Sequence, residues 1–144
     1  EADVLEWGYK FHMNDVCAAV GIENLKSADS IIEKHRSNAA YYDKNLAKVN
    51  GVTLLERNPS CNSSFWIYSM LVDDRNSFYK YMDECNIAVS QVHERNDKHS
   101  CVKEFATQLP NLDKTIKKVV NIPVGWWVTN EDREYIVDCI KKWK

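Results

Sequence analysis

The feature that most constrains this chain is a helical stripe running through residues 27–49. Ile32, His35, Ala39, Tyr42, Leu46 and Val49 recur at alternating three- and four-residue steps, the signature of one helix face. Asn50-Gly51 closes the run, glycine being the usual residue just past a helix end. At 1.5 Å per residue such a helix is about 30 Å long. That length suits a connector between two lobes better than one wall of a small compact fold.

Shorter elements surround the stripe. Met13, Val16, Cys17 and Val20 keep helical spacing, with Asn14 or Asp15 as the cap. Val52-Thr53-Leu54-Leu55 reads as a strand, and residues 63–72, rich in aromatic and β-branched side chains, as the strongest strand of all. Asp74 opens a helix carrying Phe78, Met82 and Cys85 on one face, and Ile87-Ala88-Val89-Ser90 begins another short strand. A helix is expected over residues 100–107, interrupted by Leu109-Pro110. Ile122-Pro123-Val124 is extended, as residues around a proline tend to be. Thr129 and Asp132 form a capping-box pair for a last helix whose inner face is Tyr135, Ile136, Cys139, Ile140 and Trp143. Strands too few for a doubly wound sheet point to an α+β layer packed on a long helix.

The chain's 144 residues, 44% of them hydrophobic and 28% charged, can bury one sizeable core. A net charge of −2 argues against nucleic acid or an anionic membrane as partner. No apolar run approaches the roughly 20 residues of a spanning helix. Glu1-Ala2-Asp3 is acidic with no apolar stretch behind it, unlike a secretory signal. Cys17, Cys61, Cys85, Cys101 and Cys139 are dispersed without a CxxC pair, which reads as reduced, mostly buried thiols in a cytoplasmic protein. No metal site is expected.

Two loops and one aromatic segment carry the candidate chemistry. Trp7 to Asn14 places Lys10 and His12 among aromatics just before a helix start, where an anion is favoured. Gln91-Val92-His93-Glu94-Arg95-Asn96-Asp97-Lys98-His99 packs chargeable groups between apolar segments. Arg95 is its best anion ligand, because a planar guanidinium matches phosphate and carboxylate. In Trp126-Trp127 one ring is expected in the core and the other toward a partner. For each loop a plain solvated turn is the bland alternative.

The block Gly8-Tyr9-Lys10-Phe11-His12-Met13-Asn14-Asp15, leading into Val16-Cys17-Ala18-Ala19-Val20-Gly21, resembles a segment of the DegT/DnrJ/StrS aminotransferase family. The long helix, the Ser64-Phe65-Trp66 strand, the loop from His93 to His99 and Ile122-Pro123-Val124 recur in that family's order. The resemblance implies the small carboxy-terminal lobe of a fold-type-I aminotransferase. Residues 1–26 would be an interface loop and helix from the end of the large lobe, 27–50 the connector and 51–144 the small lobe. It implies pyridoxal 5'-phosphate as cofactor, glutamate as amino donor, a nucleotide-diphospho-ketosugar as acceptor, and a homodimer. The Schiff-base lysine would belong to an amino-terminal lobe upstream, so this chain alone is expected to be inactive. Lys10 stands where the family's cofactor-phosphate asparagine is, and His12 where an arginine is common. His93, Arg95 and His99 are the candidates for substrate contact. The rival readings are a non-catalytic binding module of the same fold and an RNA-binding α/β domain, which the acidic balance disfavours.

Overall fold

The computed structural model describes residues 3–10 and 13–144. Helix α1 (Asp15–Leu25) begins where the Asn14 side chain accepts a hydrogen bond from the Cys17 amide (2.9 Å), supplying an acceptor that the first helical turn otherwise lacks. Helix α2 (Ala28–Leu46) is the long one, and its stripe points inward: His35, Asn38, Ala39, Tyr42 and Leu46 are buried. From His35 onward α2 is therefore one wall of the core, a role that the connector reading did not give it. Only its first two turns carry no buried residue.

Gly51, at φ 78°, turns the chain into β1 (Val52–Leu54). A Cβ at this position would sit 3.0 Å from Trp143 Cζ3, so both backbone and space call for glycine. β2 (Tyr68–Val72) is the central strand, antiparallel to β1 on one side and to β3 (Val119–Ile122) on the other. Val52 faces Val72 and Tyr68 faces Ile122. With a side-chain period of two, Tyr68, Met70, Val72, Val120 and Ile122 share the core face.

The strand expected over residues 63–72 is only half formed. Phe65 adopts φ 50°, its amide donating to Ser63 Oγ (3.1 Å) and its carbonyl accepting from His35 Nδ1 (2.8 Å). Those partners replace a sheet ladder. The segment from Ile87 likewise contributes only one bridge, Ser90 to Asn121.

Asp74 caps α3 (Arg75–Glu84) through the Ser77 amide (3.0 Å), and Phe78 and Met82 fill the core. The helix expected over 100–107 is a 3₁₀ turn, Ser100–Phe105, preceded by another at Asn96–Lys98. Pro110 opens α4 (Pro110–Thr115) instead of interrupting a helix, since proline fits the first helical position. α5 (Asn130–Lys142) carries the full capping box between Thr129 and Asp132. Its buried face is Ile136, Val137, Cys139 and Ile140, continued by Trp143. Tyr135 is 54% exposed, because its hydroxyl donates to the Cys85 carbonyl (3.1 Å) at the rim.

Two further expectations are corrected. Only Cys139 is buried, while Cys85 and Cys101 are half-buried, Cys17 and Cys61 are exposed, and all five are free. Cys17 lies on a helix without buried residues and Cys61 in a loop, so neither occupies a core position. Neither tryptophan of the pair enters the core: Trp126 is 56% and Trp127 64% exposed. The segment turns instead of extending, with the Val128 amide bonded to the Gly125 carbonyl (3.0 Å). Trp127 folds over Gly125, leaving no room for a Cβ there.

Candidate functional site

The start of the chain meets the segment that follows the second polar loop. The Asp3 carboxylate accepts hydrogen bonds from the Ser100 amide (2.9 Å) and the Ser100 hydroxyl (2.6 Å). The Val4 carbonyl accepts from the Cys101 amide (3.0 Å), and Trp7 stands edge-on to Phe105. The opening segment thereby docks on the 3₁₀ turn that follows His99. Beside this junction is a cavity of about 380 Å³ whose lining includes Asp3, Arg75, Gln91, Arg95, His99 and Lys117.

Arg95 and His99 are brought together on this cavity, but Arg95 is not an open fork. Its Nε and Nη2 donate to the two Asp97 oxygens (2.8 and 2.5 Å), and Nη1 to Asp113. These bonds push the guanidinium pKa further up and hold the Asp97 carboxyl below the usual carboxylate range. Arg95 is therefore a hub tying its loop to α4, with its charge balanced by carboxylates. His99 Nδ1 lies 3.9 Å from Asp3.

Arg75 is the residue that sequence reading missed. Its Nη1 donates to Gln91 Oε1 (2.6 Å) and to the Ile116 carbonyl (2.8 Å). A signal was there: a cation in the first turn of a helix opposes the helix dipole, so Arg75 needs a reason beyond helix formation. Arg75, Lys98 and Lys117 place positive charge around the cavity, against the carboxylates of Asp3, Glu94 and Asp113.

The other candidates stand apart. His93 is exposed and sits edge-on to Trp66, ring centres 5.8 Å apart. Lys10 is exposed in the opening segment, and His12 lies outside the described residues. Among the described residues no lysine is buried, and the half-buried Lys34 donates to Asn130 Oδ1 (3.2 Å). A Schiff-base lysine works in a shielded pocket, so the described residues do not by themselves fit pyridoxal phosphate. Among them no His, Cys, Asp and Glu group could hold a metal ion, and no helix is long and apolar enough to cross a membrane.

The Asp3 clasp gives a pH prediction. Hydrogen bonds from Ser100 hold the Asp3 pKa below its ordinary 3.8. A depressed carboxyl stabilises its contacts above the unfolded pKa and loses that contribution as pH falls through the folded one. Trp7 fluorescence is expected to change below about pH 4 as the opening segment detaches, and Asp3→Asn is expected to show the detached signal already at pH 7. An Asp3→Asn spectrum identical to the parent's at pH 7 would contradict this.

Fold and site together define a small α+β lobe that presents one loop-built, partly cationic cavity. The chain belongs to the DegT/DnrJ/EryC1/StrS aminotransferase family, whose match runs over residues 2–141. That family is pyridoxal-phosphate-dependent. The structure is similar to that of the sugar aminotransferase CalS13 from Micromonospora echinospora, with TM-score 0.86 and 45% identity over 94% of this chain and 37% of that one. It is also similar to AtS13 from Actinomadura melliaura, with TM-score 0.85 and 47% identity over 96% of this chain and 37% of that one. A UDP-4-amino-4,6-dideoxy-N-acetyl-beta-L-altrosamine transaminase of Campylobacter jejuni is 23% identical over 147 residues, covering 97% of this chain. The chain spans 39% of that relative's length.

Proposed function

We propose that this chain is the carboxy-terminal lobe of a cytoplasmic aminotransferase that moves an amino group from glutamate to a nucleotide-diphospho-ketosugar, in amino-sugar or cell-surface polysaccharide synthesis. The observation that supports it most is the convergence of the opening segment and the His93–His99 loop on one polar cavity, in a chain of this family. In this reading the cofactor and its lysine belong to an amino-terminal lobe. This lobe contributes the substrate-facing loop: His99 borders the cavity, Arg95 locks its wall, and His93, from the same loop, stands edge-on to the exposed Trp66. Lys10 and His12 approach the cofactor phosphate across a homodimer interface, where a lysine acts as a point charge.

The 144-residue chain mixed with pyridoxal phosphate is expected to show no aldimine absorbance, no borohydride-trapped adduct and no transamination. Fused behind the amino-terminal portion of the sugar aminotransferase CalS13, which is 45% identical over the shared region, it is expected to restore glutamate-dependent amination of a nucleotide ketosugar. A borohydride-sensitive band from the chain alone would overturn this reading. So would a fusion that folds and binds cofactor but takes no nucleotide ketosugar.

A further inference from the structure

We infer that Gln91 is a positioning residue, which with Arg75 and Asn121 clamps a strained turn at Val92 and so sets where His93 points. The inference rests on the substrate role proposed for the loop, but its physical basis is local. Val92 has φ 59°, and the His93 amide donates to the Gln91 carbonyl (2.7 Å), closing a three-residue turn around it. Such a turn with positive φ at its centre is rare and strained, and a β-branched residue there is an outlier. Burial does not offset the strain, because the Val92 side chain is 46% exposed. Strain of this kind persists only where the surroundings over-determine it, and it gathers at functional sites.

The surroundings do over-determine it. Gln91 holds both sides of the turn: its backbone carbonyl takes the His93 amide, and its side-chain Nε2 donates to the His93 carbonyl (2.8 Å). The Gln91 Oε1 is gripped by Arg75 (2.6 Å), itself anchored on the Ile116 carbonyl (2.8 Å). The Gln91 carbonyl also accepts from Asn121 Nδ2 (2.6 Å). Asn121 is buried on β3, and its Oδ1 accepts from Ser69 Oγ on β2 (2.5 Å). The sheet and the start of α3 thus converge on one glutamine. Beyond the turn, His93 goes to Trp66 while Arg95 and His99 go to the cavity. A residue 92 at ordinary negative φ would not impose that divergence.

The test is nuclear magnetic resonance on this chain, reading the nuclear Overhauser contact between the His93 imidazole and the Trp66 indole. Gln91→Ala is expected to abolish it and to speed His93 amide exchange about tenfold. Gln91→Glu keeps the acceptor for Arg75 but loses the donor to His93, and is expected to abolish the contact with the fold intact. Val92→Gly alone is expected to retain it, and Gln91→Ala in the Val92→Gly background to regain it, since glycine adopts positive φ without a clamp. Retention of the contact in Gln91→Ala, or failure of Val92→Gly to rescue it, overturns the inference.

In the cofactor-bearing fusion, Gln91→Ala is expected to raise KM for the nucleotide ketosugar about tenfold with a much smaller change in kcat. An unchanged KM overturns the positioning role. Should the parent fusion itself take no ketosugar, the reading of the site fails, and the resonance measurement still decides the clamp.

Discussion

Asn38→Asp is expected to lower the melting temperature of this chain by about 10 °C, from a loss of about 3 kcal/mol. Asn38 is fully buried on α2, and its Nδ2 donates to the carbonyls of Gly125 (3.1 Å), Val124 (3.2 Å) and Val128 (3.3 Å). Two N–H groups thus serve three acceptors, and that one amide holds the turn carrying Trp126 and Trp127. An aspartate has no hydrogen to offer, so the carbonyls lose their donor and face a buried negative charge. Arg133 Nη1, 3.4 Å from Oδ1, relieves only the other oxygen. The introduced carboxyl is pushed above its unfolded pKa, so the deficit is full at neutral pH and shrinks as pH falls and the group regains a proton. Thermal unfolding at pH 7 and pH 5 measures both parts. A melting temperature within about 2 °C of the parent's at pH 7 would contradict it.

The chain is also expected to self-associate through α1. None of the residues of α1 is buried, yet Val16 is 73%, Val20 55%, Ile22 63% and Leu25 72% exposed. A helix apolar around most of its circumference is an interior element of some larger assembly, and exposed apolar area of this extent marks an interaction surface. Val16→Ser with Val20→Ser removes two apolar side chains from each copy, four per dimer, each worth up to about 1.5 kcal/mol when fully buried, so association is expected to weaken by at least about a hundredfold. Sedimentation equilibrium over a range of concentrations reads this directly. A concentration-independent monomer of the parent chain would sink the prediction.

Where a local rule and the core agreed, the fold was legible in the residues. Asn14, Asp74 and Thr129 cap the helices that their positions announce, and the α2 stripe is buried at His35, Ala39, Tyr42 and Leu46. The misses share a cause. The run from residue 63 has strand composition throughout, but His35 and Ser63 take the backbone groups of Phe65 before a strand can. Trp126 and Trp127 belong by size in a core, but Asn38 ties their segment into a turn at its edge.

The candidate site divides in the same way. The charge density of residues 91–99 marked the loop, and Arg95 and His99 do border the cavity. That Arg95 is spent on Asp97 and Asp113 was not readable, because Asp113 comes eighteen residues later. Arg75 was marked by its place in the first turn of α3, but its partners were hidden for the same reason, since Gln91 and Ile116 lie far along the chain.

By itself the sequence determined the helices α1, α2, α3 and α5, where they start, and the family to which the order of motifs belongs. Those properties depend on neighbours within a few residues, or on spacing along the chain. The tertiary structure alone decided that Asp3 joins the opening segment to the turn after His99, that Arg95 is internally balanced, and that Gln91 holds Val92 in a left-handed turn. Each of these is a hydrogen bond or ion pair whose geometry is set by long-range folding or by a strained backbone, and neither leaves a local mark on the sequence.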